Sequence, residues 1–164
     1  MKGWKWLIII IAVIVVGLAI LIADARRREI YASLDEVRED IAFYHAEIMG
    51  EVTFDDHIMF FVVEERERPY FYGRVLKETK DGEFQQIFHS AMISEGMTLE
   101  QEWKELWNKT YRLRFGAHEE GAEPFGFSED DWKYAHEGEG AGWHFSYEIL
   151  KKDGFGDFAP VEIQ

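Results

Sequence analysis

Apolar side chains fall along this chain in three rhythms: one unbroken run, one helical spacing and one strict alternation. The run is residues 7–23, LIIIIAVIVVGLAILIA, which hold no polar side chain and of which thirteen in seventeen are Leu, Ile or Val. At ~1.5 Å per residue it reaches about 25 Å, or about 30 Å counted from Trp4, the thickness of a bilayer's hydrocarbon. Its insertion is worth roughly −4 to −8 kcal/mol. Trp4 and Trp6 fit the interfacial belt, and Arg26, Arg27 and Arg28 supply the charge block that stops a helix from leaving the membrane. Ala23-Asp24-Ala25 has the form of a signal-peptidase site. The apolar core, however, exceeds the about 7–15 residues of a cleaved signal. Residues 1–28 are therefore expected as a membrane anchor with flanking basic residues, in contact with the lipid bilayer through residues 7–23. The expected localisation is a single-pass membrane protein. Arg26 to Arg28 and Arg38, set against Lys2 and Lys5, favour a cytoplasmic body over an extracytoplasmic one.

The helical spacing comes next. Across residues 26–50, Ile30, Leu34, Val37, Ile41, Tyr44 and Ile48 stand 4, 3, 4, 3 and 4 apart, a heptad seam. Residues 29–50 are read as a juxtamembrane amphipathic helix stopped by Gly50, and a capping box from Ser33 to Glu36 permits a start at Ser33. Such a stripe serves either packing on the protein's own sheet or a homodimer through residues 30–48.

Residues 51–164 are expected as an acidic, aromatic-rich α+β domain. HIMFFVVE (57–64) is nearly all apolar, which suits a strand covered on both faces. YFYGRVLKE (70–78) and FQQIFHSAMI (84–93) continue an antiparallel meander, with Asp81-Gly82 as a hairpin signal. Thr98 to Gln101 forms a second capping box, predicting a packed helix to about Arg114 with Leu99, Trp103, Leu106, Trp107 and Thr110 on one side. Glu100–Lys104 and Glu105–Lys109 would support it at i,i+4. A loop (115–127), a short acidic helix (129–136) and a flexible connector (137–142) follow. The strict alternation then appears: Trp143, Phe145, Tyr147 and Ile149 face one way, and His144, Ser146 and Glu148 the other. A turn at 152–157 leads to a final run, 158–164, in which Pro160 marks an edge strand and closes a C-terminal hairpin.

Charge narrows the function. Beyond residue 28 stand 13 basic and 31 acidic side chains, a surface that repels nucleic-acid phosphates and suits basic partners or divalent cations. The chain has no cysteine, hence no disulfide and no thiolate site. Carboxylate and histidine clusters make Asp55, His57, His118, Glu119 and His136 candidate metal ligands. Their spacings match no ligand motif, and solvated turns are the simpler reading. His144, Ser146 and Glu148 stand about 7 Å apart on one strand face, too far for a triad. No catalytic signature and no cofactor-binding motif is present. From Phe115 to Gln164, twelve acids meet three bases among many aromatics. Trp132, Tyr134, Glu137, Glu139 and Trp143 are candidates for binding a protein partner, one of basic character. The sequence thus predicts a membrane-tethered interaction or accessory protein, of the kind that serves as a subunit of a membrane complex. A metal-dependent membrane hydrolase and a ligand-binding sensor are the alternatives.

Overall fold

The computed structural model describes residues 10, 13–17, 29–105, 108–119 and 133–164. The chain divides into two units, Met1–Ile30 and Tyr31–Gln164. In the first, residue 10 and residues 13–17 are helical, with Ile10, Val13, Ile14, Val15 and Val16 exposed. Among the described residues no helix is long and apolar enough to cross a membrane. The longest spans ten residues, LDEVREDIAF, half the length a bilayer demands and rich in charge. The expected single-pass anchor, its membrane localisation and its cytoplasmic body are corrected accordingly. The remaining residues of 7–23, with Trp4, Trp6, Arg26, Arg27 and Arg28, lie outside the described residues.

The second unit is α+β and dominated by antiparallel strands: β1 (Ile30–Tyr31), α1 (Leu34–Phe43), β2 (Ala46–Phe54), β3 (His57–Glu64), β4 (Tyr70–Glu78), β5 (Phe84–His89), β6 (Ile93–Ser94), β7 (Thr98–Lys104), β8 (Lys109–Glu119), β9 (His136–Gly140), β10 (Trp143–Asp153) and β11 (Ala159–Pro160). They form two sheets. Sheet A runs β1-β5-β4-β3-β2 with β6 also on β4, and sheet B runs β11-β10-β8-β7 with β9 also on β10.

Each sheet gives one apolar face to a shared core. Met59, Phe61 and Val63 of β3 and Phe71 and Val75 of β4 meet Tyr111, Leu113, Phe115 and Ala117 of β8 and Phe145, Tyr147 and Ile149 of β10. The alternation expected in β10 is therefore its core face. β3 is apolar throughout because its second face is covered as well: Phe60 and Val62 pack with Tyr72 and Leu76 beneath Val37 and Ile41 of α1. The meander of β3, β4 and β5 forms as the sequence predicts, with Gly82 at positive φ in its second turn.

Several expectations are corrected. The amphipathic helix is shorter than 29–50: Ser33 caps it, its Oγ accepting from Glu36 N at 3.2 Å, and His45 at φ 57° turns the chain into β2. The heptad seam is not continuous, since Val37 and Ile41 are buried on sheet A while Ile30 and Tyr44 are exposed. Gly50 is a strand residue rather than a helix stop. A Cβ there would stand 2.5 Å from the Phe145 ring, and Gly138 meets the same ring from β9. The predicted helix from 98 to 114 is instead the β7–β8 hairpin, in which Leu99 pairs with Phe115 and Trp103 with Tyr111. Burial of Trp103, Tyr111, Leu113 and Phe115 on one sheet face outweighs the capping box and the i,i+4 pairs. Half of the short acidic helix expected at 129–136, residues 129–132, lies outside the described residues; in the other half residues 133–134 form a turn and His136 begins a strand. The supposed connector at 137–142 is β9 and a tight turn, with Ala141 and Gly142 both at positive φ.

The C-terminal hairpin forms as expected, with Pro160 on an edge strand opposite Leu150. Beyond it Ile163 bridges to Phe54, and Gln164 N donates to the Thr53 carbonyl at 2.9 Å, which joins the end of sheet B to the edge of sheet A.

Candidate functional site

The densest group of titratable side chains lies where the β2–β3 turn meets the end of the β7–β8 hairpin. Asp55 and Asp56 form the turn, with Asp55 at φ 47°, and the next residue, His57, points into the core. Its ring is fully buried, stacked on Phe54 at 5.1 Å and edge-on to Tyr111 at 5.0 Å. Nε2 lies 2.5 Å from Glu105 Oε1, and Nδ1 lies 3.3 Å from Asp56 Oδ1. Both contacts have ion-pair distance without hydrogen-bond alignment. Lys77 of β4 contacts Asp56 at 2.7 Å and Glu105 at 3.0 Å. Alongside, Asp55 Oδ2 accepts from Tyr111 OH at 2.8 Å and from Lys151 Nζ at 2.9 Å.

The electrostatics follow from this packing. Burial pushes the Glu105 carboxyl up, but His57 and Lys77 outweigh it and hold the pKa down at about 2. Burial likewise opposes Asp55 and Asp56, whose cationic and hydrogen-bonding neighbours still draw both below the usual carboxylate range. Burial, then Asp55, pushes the Tyr111 phenol up. Asp55, Asp56, His57 and Lys77 belong to sheet A, while Glu105, Tyr111 and Lys151 lie on or beside strands of sheet B. The cluster therefore ties one sheet to the other. The imidazole is buried and flanked by aromatic rings, and the charged groups around it clasp the two sheets together.

The outer face of sheet B carries the second group. Arg112 Nη2 donates to Glu102 at 2.6 Å, Arg114 Nε to Glu100 at 2.6 Å, and Arg114 Nη1 to Glu148 at 3.2 Å. Glu148 is buried and also accepts from the Tyr134 backbone N–H at 3.0 Å. These bonds occupy the carboxylate of the His144, Ser146 and Glu148 row, and Ser146 is itself buried. At the far end of the face His118 of β8 pairs with His144 of β10, which pairs in turn with Glu139 of β9.

The sequence-nominated metal ligands do not converge. Asp55 and His57 sit beside Tyr111, near one end of β8, and His118 and Glu119 sit at its other end, about 23 Å away along the strand. His136 stacks on Tyr147 at 5.4 Å. Among the described residues no group of three or more His, Asp or Glu is arranged to hold a metal ion. Of the partner-binding candidates, Tyr134, Glu137 and Glu139 are exposed, whereas Trp143 is half-buried against Phe71, with ring centroids 4.9 Å apart. Trp132 lies outside the described residues. Sequence reasoning missed Glu105, Lys77 and Tyr111 as neighbours of His57, and His144 as the neighbour of His118. Only the period-2 alternation of TYRLRFGAH could have signalled the strand that brings two of these pairs together.

No family model matches the chain, and neither a curated protein nor a solved structure matches it.

Proposed function

We propose that this chain is an interaction or accessory module that offers the β9 edge of sheet B to a basic protein partner. The observation that carries this reading is the asymmetry between the two edges of that sheet. On β7, Glu100 and Glu102 are matched by Arg112 and Arg114. On β9, Glu137 and Glu139 are exposed and meet no Lys or Arg among the described residues. Acids that meet no internal Lys or Arg come to a basic surface without first breaking an arginine pair, whereas those on β7 must give one up. Tyr134, 41% exposed, adds an aromatic side chain beside the same strand. The interior favours this reading over a ligand sensor, because Phe61 lies within 5.1, 4.9 and 4.6 Å of the Phe115, Phe145 and Tyr147 rings and fills the space a ligand would need.

A photo-crosslinking residue placed at Glu137 or at Glu102 of the full chain, used in native extract, tests the proposal. A basic protein captured at 137 and not at 102, and lost when Glu139 becomes Lys, is the expected result. Equal capture at both positions, or none at 137, would overturn it.

A further inference from the structure

We propose that His118 and His144 form a two-histidine surface site for a divalent transition-metal ion such as zinc, nickel or copper. The two residues stand directly opposite each other on β8 and β10. Their rings lie 5.7 Å apart and 13° from parallel, so both imidazoles project together from the outer face of sheet B. Each ring turns Nδ1 towards an oxygen: His118 Nδ1 is 3.1 Å from the Glu119 carbonyl, and His144 Nδ1 is 4.0 Å from the Glu139 carboxylate.

An Nδ1 that faces a carbonyl or carboxylate carries the proton of a neutral ring and leaves a lone pair on Nε2, the form in which histidine binds metal. No hydrogen bond or ion pair engages either Nε2 among the described residues. His118 thus has the second-shell contact that usually accompanies a metal-binding histidine, and the Glu139 carboxylate stands 4.0 Å from the corresponding nitrogen of His144. The His144 side chain is 34% exposed, so an ion can reach it from solvent.

The chemistry selects the ion. Imidazole nitrogens suit zinc, nickel and copper, while calcium and magnesium require oxygen ligands. A chain of net charge −14 also raises the local concentration of any dication. Because only two side chains bind the metal directly, water completes the coordination and the affinity is lower than that of a four-ligand structural site. Glu139 is assigned as a positioning residue rather than a ligand, because its carboxylate lies on the Nδ1 side of His144, away from Nε2. This inference stands apart from the partner reading above and does not rest on it.

Calorimetric titration of the full chain with nickel or zinc ion alone is the test. One saturable site is expected, undisturbed by excess calcium or magnesium. It should weaken at least about tenfold in His118→Ala and in His144→Ala, and by less in Glu139→Gln. His136→Ala should bind as the parent does. His118→Gln and His144→Gln, closer in size, provide the same comparison if an alanine variant fails to fold. Absence of saturable binding, binding retained in both histidine variants, or displacement by calcium would each overturn the proposal.

Discussion

Arg74 and His57 are both buried in sheet A, on its opposite faces, and the fold secures them by different means. Arg74 lies on the outer face, 4% exposed, with Nη1 on Asp40 at 2.9 Å, Nε on Gln86 at 2.6 Å and Nη2 on the Tyr31 hydroxyl. Its planar fork reaches β1, α1 and β5 with directed bonds, as guanidinium geometry allows. His57, on the inner face, meets two carboxylates at short range without aligned bonds. The first cluster fastens a helix to a sheet through geometry, and the second fastens sheet to sheet through charge. An interface built on directed bonds fails when its donor is removed, whereas one built on charge also fails when a proton is added.

Removing the donor should have the largest effect. Arg74→Ala leaves Asp40 and Tyr31 without their cation and is expected to cost about 3–5 kcal/mol, measured by urea unfolding. A loss below about 1 kcal/mol would mean that the apolar contacts of Val37 and Ile41 alone seat the helix.

Next comes the proton. Glu105 has its folded pKa drawn from 4.5 to about 2. Its contribution is therefore complete above pH 4.5 and drains away as pH falls towards 2, up to roughly 3 kcal/mol. Unfolding of the parent chain should show that acid-side decline, and Glu105→Gln should be less stable at neutral pH and flatter across the window. Parallel profiles for the two chains would count against the charge clasp.

Asp55→Asn keeps shape and removes charge beside Tyr111 and Lys151, so a loss of about 1 kcal/mol is expected. Glu102→Gln serves as the contrast within a single sheet. Its partner Arg112 also has Glu100 within 3.6 Å, and thermal unfolding should register less than about 0.5 kcal/mol. A larger effect there than at Asp55 would reverse the ranking of a contact between the sheets over an ion pair within one sheet.

Periodicity explains both what was legible and what was not. The alternation of β10 placed Phe145, Tyr147 and Ile149 on the core face correctly, and the apolar run of β3 announced a strand covered on both sides. Residues 98–114 misled because Leu99 and Trp103 satisfy two periods at once: four apart on a helix, and on one face of a strand. The charges between them did the same. Glu100 and Lys104 read as helical neighbours, yet Glu100 bonds Arg114 across the hairpin. The heptad seam failed similarly, since the helix ends at Phe43 with Tyr44 as its C-cap, and His45 at positive φ turns the chain before Ile48 can extend the seam.

The candidate sites were less legible than the fold. His57 was visible as one of three histidines among acids, but nothing local distinguishes a ring in a solvated turn from one pointing inward. His118 was visible too, whereas nothing local points to its neighbour His144, 26 positions away on the polar face of its strand.

By itself the sequence determined the local facts of this protein: the capped start of α1, the meander turn at Gly82, the apolar faces of β3 and β10, the edge at Pro160 and a strongly acidic composition. These depend on backbone preference and on side chains a few positions apart. Only the tertiary structure decided that 98–104 pairs with 109–119, that Glu105 reaches His57 and that His144 stands beside His118. Those contacts follow from strand register, which is set by the burial of distant residues against one another rather than by any short stretch of chain.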